Sequence, residues 1–209
     1  MRVILASTSP RRRELLALLG LPFDVQAPAF DEQIIPGLSV MDLALEFARS
    51  KARAVARHAS GAAVIGSDTL IEIDEEAVGK PGTIADARVM LRRLKGREHR
   101  IVSAVAVCLF DRRFEEAAVS TVRVWMKDLD DADLDRYLAS QEWIGKAGAY
   151  AIQGFGCRLI ERIEGDYTAA VGLPLRETAG LLEKCGLSVP IDLRQLYRSR
   201  PYPNWSRFA

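Results

Sequence analysis

The sequence predicts an α/β fold built on a mixed sheet, and three observations predict it. Short apolar, strand-like runs alternate with amphipathic helix patterns through the first half of the chain. Two long strand-like runs then follow one another across a polar turn, as in an antiparallel hairpin. The chain of 209 residues, 49% of them hydrophobic, is long enough to bury a substantial core without disulfides. The order βαβα followed by a hairpin suggests strands crossing between two lobes, with a ligand cleft between them.

The elements follow from local pattern. Val3 to Ala6 reads as a buried strand and Glu14 to Leu19 as the body of a short helix that ends at Gly20, with Ser9 as its N-cap and Pro10 in its first turn. A short strand follows Gly20. Leu38 to Ala59 has the spacing of a long amphipathic helix, with Leu43, Phe47, Ala48, Ala52 and Val55 on one face. Ala62 to Gly66 is a short apolar strand ending at Ser67-Asp68-Thr69, and Leu70 to Ile73 either continues it or restarts after a bulge. DEEAVGKPGT reads as a turn, and Ile84 to Leu94 as a helix. Ile101 to Phe110 and Val119 to Met126 form the hairpin, Asp130 to Leu138 a helix, and KAGAYAIQGFG a close-packed loop. Arg158 to Ile163 is a further strand and Leu175 to Cys185 a last helix. The sequence divides into one domain over residues 1–193 and an arginine-containing surface tail over 194–209.

Composition narrows the function. A formal net charge of +1 gives no global reason to expect a nucleic-acid or anionic-membrane partner. The N-terminal MRVILASTSP has the wrong charge order for a signal peptide and no run approaches a membrane span, so a cytoplasmic location is expected. Cys108, Cys157 and Cys185 form no CxxC pair, and His58 and His99 no metal set. There is no GxSxG elbow to suggest covalent serine catalysis.

Three polar clusters can carry chemistry. Ser7, Thr8, Ser9, Arg11, Arg12 and Glu14 stand at a strand-to-helix junction, where helix N–H groups, hydroxyls and a guanidinium fork can bind phosphate; Walker A glycines and lysine are absent. Asp68, beside Thr69 at the end of an apolar strand, is placed to hold a metal or take a proton, and equally to act as a turn or cap residue. Asp31 or Glu32 can join it around Mg²⁺ or Mn²⁺, and the sequence does not choose between them. Lys80 offers a compact charge to phosphate from a turn, while Lys51 either snorkels from the core or points into the cleft. In the third cluster, Lys146 to Gly156, the Gln153 amide can read a base edge. Gly172, Leu173 and Pro174 either line the pocket or cap the last helix.

Taken together, LASTSPRRRELL at 5–16, SKARAVA around Lys51, VIGSDT at 64–69, VGKP at 78–81, HRIVSAV at 99–105, KAGAYAIQG at 146–154 and GDYTAAVGLPL at 165–175 closely resemble the Maf family of nucleoside triphosphate pyrophosphatases. The resemblance spans nearly the whole chain except the tail. It implies a Maf-like (inosine triphosphate pyrophosphatase-like) mixed sheet with two lobes around a nucleotide cleft, usually in a homodimer. The implied reaction is metal-dependent hydrolysis of a nucleoside triphosphate to monophosphate and pyrophosphate. Asp68 corresponds to the family's general base. Arg11, Thr69 and Gln153 correspond to its substrate-selecting positions, in the combination of the branch that prefers dTTP and UTP over 7-methyl-GTP. Ser7, Arg11, Arg12 and Lys80 would neutralise phosphate charge, with Asp31, Glu32 and Asp68 as metal candidates. Two positions depart from the pattern: Ser50 replaces a common glutamate before Lys51, and Ser103 a common threonine.

Overall fold

A computed structural model of the chain describes residues 1–208. In chain order its elements are β1 (Arg2–Ala6), α1 (Pro10–Ala17), β2 (Asp24–Gln26), α2 (Val40–Ala56), β3 (Ala62–Ile73), β4 (Glu76–Val78), α3 (Ile84–Leu94), β5 (Glu98–Leu109), β6 (Phe114–Met126), α4 (Asp131–Ala139), β7 (Ile160–Glu164), α5 (Tyr167–Val171), α6 (Leu175–Lys184) and α7 (Leu193–Ser199). The strands form one mixed sheet in the order β2-β1-β3-β5-β6-β7, with β4 hairpinned onto β3. The expected α/β class is what the chain adopts, and the hairpin of β5 and β6 is its longest pairing.

Strand alternation divides the core into two layers. Ile4, Ala6, Val64, Val102, Ala104 and Ala106 face α2, whose small residues Ala44, Ala48 and Ala52 let the helix lie close on the sheet. Val3, Leu5, Ile65, Val105 and Val107 face the other way, into the larger cluster with Leu15, Leu91, Leu134 and Leu182. The α2 contact leaves no room for a side chain at Gly66, where a Cβ would overlap the Ala48 carbonyl oxygen and lie 2.6 Å from Ala52 N.

One topological detail opens the site. β1 runs parallel to β3 only as far as the Ala6↔Gly66 pairing, whereas β3 continues antiparallel to β5 as far as Glu72↔Arg100. Asp68 therefore does not follow a strand end, as the sequence reading had it. It sits within a twelve-residue strand at the point where the strand has lost one neighbour. The chain leaving β1 fills that side with Ser7, Thr8 and Ser9. Ser9 caps α1 and Pro10 opens its first turn, as expected, although the helix ends at Ala17 and not at Leu19.

Other departures have local causes. DEEAVGKPGT contains β4 as well as a turn, because Asp74 and Glu75 both adopt positive φ (55° and 62°) and return the chain onto β3. Over its described residues, 194–208, the expected tail is not a surface segment. It begins within α7 and continues to Tyr202, Trp205 and Phe208, which are 7%, 3% and 8% exposed. Trp205 and Phe208 stack on Tyr167, with ring centroids 5.8 and 6.0 Å away. Among the described residues no helix is long and apolar enough to cross a membrane.

Candidate active site

The floor of the site is an ion-pair relay between α2 and β3. Lys51 lies on the buried face of α2 and is 6% exposed; Asp68 faces it from β3 and is 3% exposed. Its ammonium donates to Asp68 Oδ1 at 2.5 Å and to Glu32 Oε1 at 2.6 Å. Lys80 donates to the other oxygen, Glu32 Oε2, at 2.7 Å. Burial pushes the Glu32 carboxyl up, but the hydrogen bonds and charges of Lys51 and Lys80 together outweigh it and hold its pKa at about 2. Asp68 Oδ2 is buried and makes no protein hydrogen bond among the described residues. A lysine placed on an apolar helix face thus points into the cleft, and the two alternatives for that residue resolve.

The loop after β1 and the turn after α5 make the adjoining wall. Arg12 donates from Nε to the Gly172 carbonyl at 2.9 Å and from Nη2 to Thr69 Oγ1 at 3.2 Å. Burial lowers its pKa, partly countered by Asp68 and Glu32; an arginine keeps its proton through such a shift. Ser103 Oγ donates to Ala169 O at 2.7 Å, so the 2.9 Å contact between Thr69 and Ser103 has Thr69 as donor, which leaves the Thr69 oxygen free to accept from Arg12. Gly172 O also accepts from Ser67 Oγ at 3.1 Å. Gly172 adopts φ 129°, a conformation that favours glycine.

The far end is formed by Arg11 and the loop 145–154. Glu142 accepts from Phe155 N at 2.9 Å and Gly156 N at 3.0 Å, which holds the backbone beside Gln153. Gly154, at φ 61°, lies too close to that carboxylate for a side chain. Burial lowers the Lys146 pKa and the Arg11 charge adds to the effect, so the two cations share one field. His99, expected just before a strand, lies inside β5, 2% exposed, with Nε2 2.6 Å from Tyr150 OH. Burial lowers its pKa to about 4, so it braces the pocket wall as a neutral ring.

These parts enclose a cleft of about 720 Å³. Ser7, Arg11, Arg12, Glu32, Lys51, Asp68, Thr69, Lys80 and Gln153 all line it. Asp31 does not: it is exposed, and its carboxylate accepts from Gln33 Nε2 at 3.1 Å. Ser50 also lies off the cleft and donates to Glu46 at 3.0 Å, while Glu32 supplies the acid beside Lys51. Sequence reasoning gave no role to Phe30 and Glu142, which also line the cleft, and nothing in their local pattern marks them. Five cations and three carboxylates face the space, a balance suited to a polyanion.

Residues 2–185 match the family described as Maf-like protein. The dTTP/UTP pyrophosphatase of Anaeromyxobacter dehalogenans is 44% identical, covering 90% of this chain and 96% of that one. Those of Methanosarcina mazei and Vibrio cholerae are 42% and 43% identical, covering 90% and 88% of this chain and 96% and 97% of theirs. Among solved structures, the Staphylococcus aureus Ham1 protein aligns with a TM-score of 0.49 at 16% identity, covering 96% of this chain and 97% of that one. From the family match and relatives of this similarity over nearly their whole length, the chain belongs to the Maf family.

Proposed function

We propose that this Maf-family nucleoside triphosphate pyrophosphatase acts on dTTP and UTP, releasing the monophosphate and pyrophosphate, with Asp68 as general base. The observation that carries the reading is the state of Asp68. Lys51 anchors one carboxylate oxygen and fixes its orientation, while the other oxygen stays unengaged within a cleft rich in cations. Such an oxygen is placed to orient a water and take its proton. Attack by that water at the α phosphorus breaks the bond to the bridging oxygen, and the charge leaves on pyrophosphate. Arg12, held by Gly172 and Thr69, and Lys80, on the exposed side of Glu32, are the groups available to neutralise that charge. Ser7 completes the phosphate-binding wall.

The residues present fit a divalent cation. Glu32, ionised at working pH, supplies a hard oxygen donor, and Asp68 would supply a second at the expense of its basicity. No three potential ligands cluster among the described residues. Two carboxylates completed by substrate phosphates are the donor set that Mg²⁺ commonly takes, and Mn²⁺ shares the preference for oxygen. When bound there, the cation would neutralise phosphate oxygens; Asp31 lies outside this pair. The preference for thymine and uracil rests on Arg11, Thr69 and Gln153 lining one cleft and on the names of the relatives. The homodimer implied by the resemblance is part of the same reading.

The test measures pyrophosphate and monophosphate release from dTTP, UTP, CTP, GTP, ATP and 7-methyl-GTP, with Mg²⁺ or Mn²⁺ and a chelator control, for the wild type and Asp68→Asn. We expect metal-dependent release favouring dTTP and UTP, and a loss in Asp68→Asn of about 10²-fold or more with nucleotide binding retained. Preference for a purine or 7-methyl-GTP would keep the chemistry and overturn the base specificity. Binding without release from any nucleotide would favour a regulator of cell division, and unchanged turnover in Asp68→Asn would reject the base assignment.

A further inference from the structure

The region beyond residue 185 lies outside the family match, yet its Tyr202 stands beside Gln153, which lines the cleft. Tyr202 is 7% exposed, and its hydroxyl donates to Glu14 Oε2 at 2.5 Å, a contact between residues 188 apart in sequence. Glu14 lies three residues after Arg11 on α1, so the two share one helix face. The Gln153 side chain faces the same hydroxyl. Arg11 and Gln153 line the cleft, whereas Glu14 and Tyr202 do not.

We propose that Tyr202 is a positioning residue for nucleotide selection: acting through Glu14 and beside Gln153, it holds the Arg11 end of the cleft in the geometry that discriminates between bases. This rests on the reading that Arg11 and Gln153 contact the part of the nucleotide that differs between substrates. The segment is built to deliver the hydroxyl. Tyr167 donates to Pro203 O at 2.6 Å, Trp205 and Phe208 stack on the Tyr167 ring, and Tyr197 meets Trp205 edge-on with centroids 5.0 Å apart. Tyr202 thus stands on a fixed platform. Burial, followed by the bond to Glu14, pushes its pKa up to about 12, so the hydroxyl keeps its proton and remains a donor at neutral pH.

The test uses Tyr202→Phe, which keeps the packed ring, and Glu14→Ala, which removes the acceptor at an exposed position, alone and together in the full chain. KM and kcat are measured for dTTP and CTP, or for the best and poorest nucleotides if the wild type prefers others. We expect each single variant to raise KM for the preferred nucleotide about tenfold with kcat within about twofold, and to narrow the preference by about fivefold. The double variant should lose no more than the worse single one, because both changes break one contact. The same ratios read as Kd in an Asp68→Asn background give the result even where turnover is absent. Loss of kcat uniform across nucleotides, or a preference kept within twofold, would overturn the proposal. If Gln153→Glu shifts the preference while Tyr202→Phe does not, the base-end reading stands and only the role of Tyr202 fails. If Gln153→Glu leaves the preference unchanged as well, the base-end reading itself fails.

Discussion

At the scale of single residues, the site depends on how one ammonium is shared. Lys51 bonds carboxylates from two separate segments, and Lys80 relieves it of part of Glu32. Glu32 falls from its ordinary value of 4.5 to about 2 in the folded protein. Because the folded value is the lower one, its contribution to stability is complete above about pH 4.5 and is lost as the pH falls towards 2. With allowance for its partial exposure, that contribution is on the order of 1 kcal/mol. Urea unfolding of wild type and Glu32→Gln should therefore differ at pH 7 and converge near pH 2; a difference unchanged with pH would mean that the lysine pairing is unimportant to the fold. Much of the site was legible at this scale, since Ser7, Arg12, Asp68 and Lys80 each stand in a segment with an evident chemical character. Choosing Glu32 over Asp31 was not, because adjacent acids in an irregular stretch carry no period to show which one turns inward.

At the scale of elements, Lys51 and Asp68 meet because α2 lies unusually close to β3. At Gly66, two residues before Asp68, a Cβ would run into the α2 backbone. Gly66→Ala should cost about 3 kcal/mol or more, measured by denaturant unfolding, since the new Cβ must push against helix backbone with no flexible side chain to yield. Unfolding free energies within 1 kcal/mol of each other would show that the helix can slide without penalty. The elements with clear periodicity, α2, α3 and β5, were readable from sequence to within a few residues, whereas β6 starts at Phe114, five residues before the expected Val119, because its first residues pair with β5 despite their turn-like composition. β4 and α5 were not readable: the first is three residues long inside a turn composition, and the second is a five-residue helix held by its Asp166 cap and by packing. The continuity of β3 through Asp68 depends on β5, a partner remote in sequence that no local pattern reveals.

At the scale of the whole molecule, the last residues close the larger core. Prolines and arginines gave 194–209 the composition of a solvated segment, and its aromatics have no helical or strand period, so their burial emerges only in three dimensions. Trp205→Ala should cost about 3 kcal/mol in unfolding free energy, the usual loss for a large buried aromatic; a cost below about 0.5 kcal/mol, as for a surface site, would show that the segment is dispensable to the core. The contact between Glu14 and Tyr202 also fixes an order of events during synthesis. Domains take shape as the chain emerges from its N-terminus, yet this contact pairs residues 188 apart in the order of synthesis. A nascent chain can assemble the sheet and gather its ion pairs while this latch is still unmade. It follows that a chain halted anywhere before residue 202 lacks this closing contact, whatever the state of its sheet.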